Sequence, residues 1–275
     1  MTHRSFAGRT VVVTGAAGGL GRSLCLHFGA AGARVAALDR DADGLQALAA
    51  EMSARGQTVL PQPCDVTDAA ACATALRMAS ETLGRIEVLV NNAGIAHRSA
   101  FAQTRAEVIR RVMEVNFFGT VHCTQAALPD LRAARGLVIA ISSVAGFSPL
   151  VGRTGYAASK HALHGFFDSL RAELAGDGVE VLLVCPSFIA TGIDGAALGG
   201  DGRPAGRPRQ TTGAQATPDE VAQAIVRAAS RGRRLLLPGA TARTAWVLSR
   251  CCPSLYAALM RRRLQAELAP TSQGD

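Results

Sequence analysis

From Thr10 to about Leu237, short and almost unbroken apolar runs alternate with longer stretches in which apolar side chains return every three or four residues. The short runs predict strands at 10–14, 34–38, 58–61, 86–90, 137–141, 179–184 and 234–237. Such continuous apolarity suits strands covered on both faces, as in a parallel sheet. Between them Leu20, Leu24, Phe28 and Ala31 share one helical face, as do Val108, Val112 and Val115, so the connections are helices. Thr217-Pro218-Asp219-Glu220 reads as an N-cap, a first-turn proline and a capping-box glutamate that open a further helix. Strand and helix alternating in this way predict an α/β fold with a doubly wound parallel sheet.

Two stretches break the alternation. Residues 191–216 are rich in Gly, Pro, Arg and Thr and have little periodicity. A loop of that length in a compact domain is a lid or a disordered segment, and a substrate lid is the favoured reading. Beyond Pro238-Gly239, residues 239–275 form an extension to the main unit of 1–238. It carries Ala245, Trp246, Val247 and Leu248, a break at Pro253, then Leu255, Tyr256, Leu259 and Met260 ahead of Arg261-Arg262-Arg263. Apolar clusters with an aromatic pair, flanked by arginines, either lie in a membrane interface or form a helical pair that caps the substrate pocket or packs on a subunit. Either arrangement implies a lipophilic substrate.

Composition narrows the class. A chain of 275 residues with 48% apolar content buries an ample core as one domain. No run reaches the roughly 18 apolar residues of a membrane span, and Met-Thr-His-Arg-Ser-Phe lacks the apolar segment of a secretory signal. The expectation is a cytoplasmic protein, membrane-associated only if the extension is the interfacial kind. Seven cysteines, an odd number with no Cys-x-x-Cys pair, read as reduced apolar residues and not as a disulfide framework or metal site. A net charge of +8 raises nucleic acid, but the arginines are scattered and aromatics are only 4%, too few for a stacking surface. His97, His122, His161 and His164 stand at no metal-ligand spacing with carboxylates or cysteines, so they are expected to be solvated or satisfied, and no metal is expected.

Chemistry enters at three places. Thr14-Gly15-Ala16-Ala17-Gly18-Gly19-Leu20-Gly21 follows the first strand and opens the first helix. Glycines there let the backbone turn sharply and approach a pyrophosphate, while the helix N-terminus supplies free N–H groups. Asp39 ends the second strand, where a carboxylate accepts from the adenine ribose hydroxyls and repels a 2′-phosphate, so NAD is favoured over NADP despite the neighbouring Arg40. Asp65, after the third strand, is placed to accept from the adenine amino group. The third place is Lys160, the single lysine among 29 basic side chains, four residues after Tyr156, one of two tyrosines. One helical turn sets the ammonium beside the phenol, where a cation favours phenolate. Arginine, a planar fork, cannot replace so compact a charge.

These residues resemble the core branch of the short-chain dehydrogenase/reductase family. The likeness runs through Thr14-Gly-x-x-x-Gly-x-Gly21, Asp65, Asn91-Asn92-Ala93-Gly94, Asn116, Ser143, Tyr156-x-x-x-Lys160 and Pro186, in order, from residue 8 to about 238. The resemblance implies a Rossmann-type single domain that moves hydride between NAD(P) and an alcohol or carbonyl. It assigns Tyr156 as general acid or base on the substrate oxygen, and Lys160 as its tuning charge and a ligand of the nicotinamide ribose. Ser143 becomes a donor to the same oxygen, with Ser142 its competitor, and Asn116 the anchor of a proton relay from Lys160. The nucleotide bed implied comprises Gly15, Gly18, Gly19, Leu20, Gly21, Asp39, Arg40, Asp65, Val66, Asn92, Ala93, Gly94, Tyr156, Lys160, Pro186, Ile189 and Thr191. Where the family usually has Pro-Gly ahead of the lid, this chain has Pro186-Ser187. A homodimer or homotetramer is also implied, through the helix bearing Tyr156 and the long helix before it.

Overall fold

The computed structural model describes residues 3–190, 195–205 and 215–264. Seven strands form one sheet in the order β3-β2-β1-β4-β5-β6-β7. They are β1 Thr10–Thr14, β2 Arg34–Asp39, β3 Val59–Pro63, β4 Ile86–Asn91, β5 Leu137–Ile141, β6 Glu180–Val184 and β7 Leu235–Leu236. Every pairing is parallel. The doubly wound architecture is the one the apolar pattern predicts. Boundaries move by one or two residues at several strands, most at β3, whose Pro61 and Pro63 are tolerated because β3 is an edge strand.

Successive side chains of a strand point to opposite faces, and both faces here are covered. Val11 and Val13 face α1 (Gly19–Ala30), α2 (Ala42–Ala54) and α7 (Pro218–Ser230), in one buried cluster with Leu24, Phe28, Leu48 and Ile225. Val12 faces α3 (Ala69–Leu83), α5 (Gly119–Ala134) and α6 (Thr154–Glu173), in a second cluster with Leu76, Leu131 and Phe167. Thr217 caps α7 with the reciprocal Glu220 box read from the sequence.

The helical pattern at Val108, Val112 and Val115 ends earlier than its spacing suggests. Helix α4 spans Ala106–Met113, and Glu114–Phe118 widens into a π turn before α5. The widening falls at Asn116, whose fully buried amide receives the Ile95 N–H at 2.8 Å and donates to the Ile95 carbonyl at 3.0 Å. A side chain locked to a neighbouring segment in this way gives a local cause for the distortion.

The strand order reverses between β1 and β4, so the loops leaving their C-terminal ends diverge and open a cleft. Of the stretch expected to be a lid, 195–205 is attached to the rim of this cleft: Arg98 N donates to Leu198 O at 2.7 Å and Leu198 N to Ala96 O at 2.9 Å. The C-terminal extension forms α8 (Gly239–Cys251) and α9 (Pro253–Leu264). Its inner face joins Val144 in a third buried cluster of Ala242, Ala245 and Tyr256, with Phe147, Leu248 and Met260 packed against it.

Candidate active site

The cleft is a cavity of about 1110 Å³. That exceeds the about 300–1,000 Å³ usual for a single-ligand pocket and leaves room for a dinucleotide together with a second molecule. Its nucleotide half is built by the ends of β1 to β4. Gly15 has φ +64°, and a Cβ there would come within 2.8 Å of Ala93 Cα. A Cβ on Gly21 would overlap the Gly15 carbonyl, so the turn closes only with glycine at both places. Gly18, by contrast, has nothing within 4 Å of a Cβ, and the N-terminus of α1 that it opens has no side-chain cap. Open space in front of uncapped helix N–H groups suits a pyrophosphate.

Asp39 lies at the cleft with Oδ2 accepting from Ala17 N at 2.9 Å and Oδ1 from Asp41 N at 3.0 Å. Each carboxylate oxygen retains a lone pair, enough for a ribose diol. Arg40 is exposed beside it. Asp65 accepts from the backbone and hydroxyl of Thr67 at 2.9 and 2.8 Å, bonds that hold its carboxyl below the usual carboxylate range, and Val66 lines the cleft next to it. Asn92 straps the end of β4 to that of β1 by donating to Thr14 O at 2.9 Å and Gly15 O at 3.1 Å. Ala93 N donates to Thr14 Oγ1 at 3.0 Å, and a Cβ on Gly94 would stand 3.2 Å from Asn116 Oδ1 and 3.6 Å from Lys160 Nζ. Pro186 and Ile189 line the far side, while Thr191 lies outside the described residues. These groups fit a nicotinamide dinucleotide: a closed glycine turn, an open helix N-terminus and an acidic strand end in one cavity.

The other half of the cavity is lined by Ser143, Tyr156 and Lys160, and the buried Asn116 lies with Lys160 beside Gly94. Helix α6 carries Tyr156 and Lys160 one turn apart, with the ammonium 5.8 Å from the centre of the phenol ring. Lys160 is only 4% exposed, and its Nζ donates to Ile141 O, at the end of β5, at 2.8 Å. Burial brings its pKa down from 10.5 to about 8. Asn116 donates to Ser159 Oγ at 2.9 Å, and its own carbonyl accepts from Thr120 Oγ1 at 3.0 Å. Ser143 Oγ accepts from Ala145 N at 3.1 Å in a tight turn, 144–146. Its competitor Ser142 is committed elsewhere: its hydroxyl donates to Lys160 O at 3.2 Å and meets His164 Nε2 at 3.1 Å.

Of the histidines, His122 and the exposed His161 each meet a backbone carbonyl, whereas buried His97 has no partner for its Nε2. His122 Nδ1 sits 3.0 Å from Val66 O and His161 Nδ1 2.9 Å from Ala157 O. Among the described residues no group of three or more His, Cys, Asp or Glu is placed to hold a metal. His97 does more than fill the core. It is fully buried, and its Nδ1 accepts from Tyr156 N at 3.2 Å, so it holds the backbone of Tyr156 from the loop after β4. Burial, with the Arg153 charge nearby, brings its pKa down to about 4 and keeps the ring neutral. No sequence spacing announces this contact, which spans two segments distant in the chain.

A parallel sheet with a dinucleotide cleft at its order reversal, and a Ser, Tyr and Lys cluster in the same cavity, defines an α/β oxidoreductase fold. The chain belongs to the short-chain dehydrogenase family, whose sequence model, described as short chain dehydrogenase, matches residues 9–198. It is 40% identical over 265 residues to dehydrogenase/reductase SDR family member 7B of Bos taurus, covering 94% of this chain and 82% of that protein. To dehydrogenase/reductase SDR family protein 7-like of Anopheles gambiae it is 35% identical over 269 residues, covering 95% and 85%. A solved short chain dehydrogenase/reductase from Burkholderia phymatum in complex with NAD shares the fold with a TM-score of 0.77 at 22% identity, covering 99% of each chain.

Proposed function

We propose that this protein is an NAD-dependent dehydrogenase or reductase that interconverts a lipophilic secondary alcohol and its ketone, with Ser143, Tyr156 and Lys160 carrying the chemistry. The observation that carries this reading is Lys160: the chain's single lysine is buried at the floor of the dinucleotide cleft, one turn from Tyr156, in a setting that disfavours its charge. An ammonium kept there at a cost in stability has a chemical use.

Gly15, the α1 N-terminus and Asp39 would hold the dinucleotide, and Lys160 would reach the ribose next to its nicotinamide. When bound there, NAD would supply the hydride acceptor. In the oxidative direction the Ser143 hydroxyl orients the substrate oxygen, and Tyr156 takes the hydroxyl proton as hydride leaves the carbon. Lys160 stabilises the negative charge on Tyr156 before that transfer, and the buried Asn116 segment supports the path along which the proton leaves. The rest of the cavity is walled by Leu150, Phe188, Ala196, Leu248, Leu259 and Met260, which favours an apolar substrate body. The Asp39 carboxylate favours NAD over its phosphorylated form, although the exposed Arg40 also lines the cleft beside it. Phe118, 41% exposed at the junction of the π turn and α5 and stacked edge-on to Phe117 at 5.2 Å, supports a homo-oligomer through the α5 and α6 face.

A panel of secondary alcohols from 2-butanol to 2-decanol and sterols, followed by absorbance of the reduced nicotinamide, tests the reading. Tyr156→Phe is expected to bind NAD as the wild type does and to lose turnover by about 10²–10⁴, the contribution of a positioned general acid or base. Near-normal turnover in that variant overturns the assignment.

A further inference from the structure

The extension does more than wall the cavity, because it is hydrogen-bonded to the turn that presents Ser143. Tyr256, the second of the chain's two tyrosines, is 4% exposed on α9, and its hydroxyl donates to Ser148 Oγ at 3.0 Å. Ser148 is fully buried and passes the bond on, its own hydroxyl donating to Val144 O at 2.8 Å. Val144 O also accepts from Phe147 N at 3.2 Å and Ser148 N at 3.1 Å, so this one carbonyl is where the turn closes. On the other side Val144 N donates to Pro186 O at 3.0 Å, which ties the turn to the segment after β6. Ser143 is the residue immediately before this pinned peptide, and its hydroxyl orientation is set by Ala145 N within the same turn.

Packing follows the same line. Val144 is buried against Ala242, Ala245 and Tyr256, and Phe147 meets Trp246 edge-on at 4.8 Å. Leu248, Leu259 and Met260, on the helices that carry this contact, face the cavity that would hold the substrate body. One pair of helices therefore touches both the substrate space and the seat of Ser143.

We propose that Tyr256, acting through Ser148, is a positioning residue for Ser143, so that the substrate-facing wall formed by α8 and α9 sets the orientation of the serine hydroxyl. A substrate body that seats this wall correctly also aligns the donor to its own reacting oxygen. The proposal rests on the reading of Ser143 as that donor. Tyr256→Phe separates the two roles of the extension, because it keeps the ring in the wall and removes only the hydroxyl.

The test uses the full chain with NAD and 2-decanol, together with hydrogen exchange of the unliganded protein followed by mass spectrometry. Tyr256→Phe is expected to lower kcat roughly three- to tenfold, the rate equivalent of one buried neutral hydrogen bond, with KM held within about twofold. Exchange in the 143–148 peptide rises by a similar roughly three- to tenfold factor, while the β5 peptide 137–141 keeps its protection. Ser148→Ala reproduces both changes, and the double variant is no worse than either single one, because both break the same chain of bonds. A raised KM with unchanged kcat, additive effects of the two variants, or unchanged exchange at 143–148 overturns the proposal. If the wild type does not oxidise any alcohol of the panel, the proposed function fails on its own account, and the exchange result alone decides whether Tyr256 holds the turn.

Discussion

Lys160→Met is expected to make the unliganded protein more stable while removing its activity. In the native protein the ammonium sits in a site that brings its pKa from 10.5 to about 8. At about 1.4 kcal/mol per pKa unit, keeping it charged at pH 7 costs about 3 kcal/mol relative to the unfolded chain. Methionine has a similar unbranched shape and no charge to desolvate, and it gives up only the bond to Ile141 O, worth about 1 kcal/mol. The net gain is about 2 kcal/mol at pH 7, a rise of about 4–8 °C in Tm for a domain of this size. The pH dependence fixes the cause. Between about 8 and 10.5 the unfolded lysine still binds its proton while the folded one has released it, so wild-type stability rises with pH through that window. The variant lacks that rise. Its advantage is therefore full below about 8 and fades as the pH approaches 10.5. Urea unfolding of both proteins at pH 7, 9 and 10.5 measures the difference, with nicotinamide absorbance reporting the loss of turnover. A variant less stable than wild type at pH 7, or an advantage that does not shrink with rising pH, refutes the account of Lys160 as a charge held against its preference.

Asp39→Ala removes an acceptor of the Ala17 N–H as well as the proposed ribose contact, so NAD affinity should fall about tenfold or more and discrimination against NADP should relax, measured by fluorescence titration with both reduced cofactors. Phe118→Arg should shift the sedimentation profile toward monomer while leaving the circular dichroism spectrum intact, because it places a charge on the exposed aromatic of the α5 face. His97 takes its proton at about 4 when folded and near 6.5 when unfolded, so native stability should fall as the pH drops through that interval; His97→Asn, which retains an acceptor for Tyr156 N, should flatten the fall in urea titrations.

The fold was legible because a parallel sheet buries both faces of every strand and leaves apolar runs that a one-dimensional pattern can carry. Its least certain edges were the strands that are not buried on both sides: β3, which carries two prolines, and β7, which is only Leu235–Leu236. The dinucleotide half was legible for a similar reason, since the glycine turn and Asp39 are tied within a single βαβ unit by a hydrogen bond from the Ala17 backbone N–H to the Asp39 carboxylate. Tyr156 and Lys160 lie one turn apart and needed no tertiary knowledge. His97, Ser148 and Tyr256 could not be read in this way. Each acts through a partner far along the chain: Tyr156 N for His97, and the 108-residue separation of Tyr256 from Ser148. Their residue types are also ordinary core fillers when they are met alone.

The same contrast explains why the chemistry can be named more closely than the substrate. Polar side chains of the site are fastened to main-chain atoms: Lys160 to Ile141 O and Asn92 to Thr14 O at strand ends, and Asn116 to both backbone groups of Ile95 in the loop after β4. A backbone carbonyl at a strand end is supplied by the fold whatever residue carries it, so these fastenings demand specific polar partners and leave a spaced signature. The proposed substrate space is enclosed by Leu150, Ala196, Leu248, Leu259 and Met260, contributed by the 195–205 segment, the turn after Ser148 and the C-terminal helices. Apolar packing is non-directional and accepts many side chains of about the right size. On the proposed function, specificity would reside in the shape of a wall whose residues have no individual chemical necessity, and it is read only when the helices that carry them are seen against the cleft.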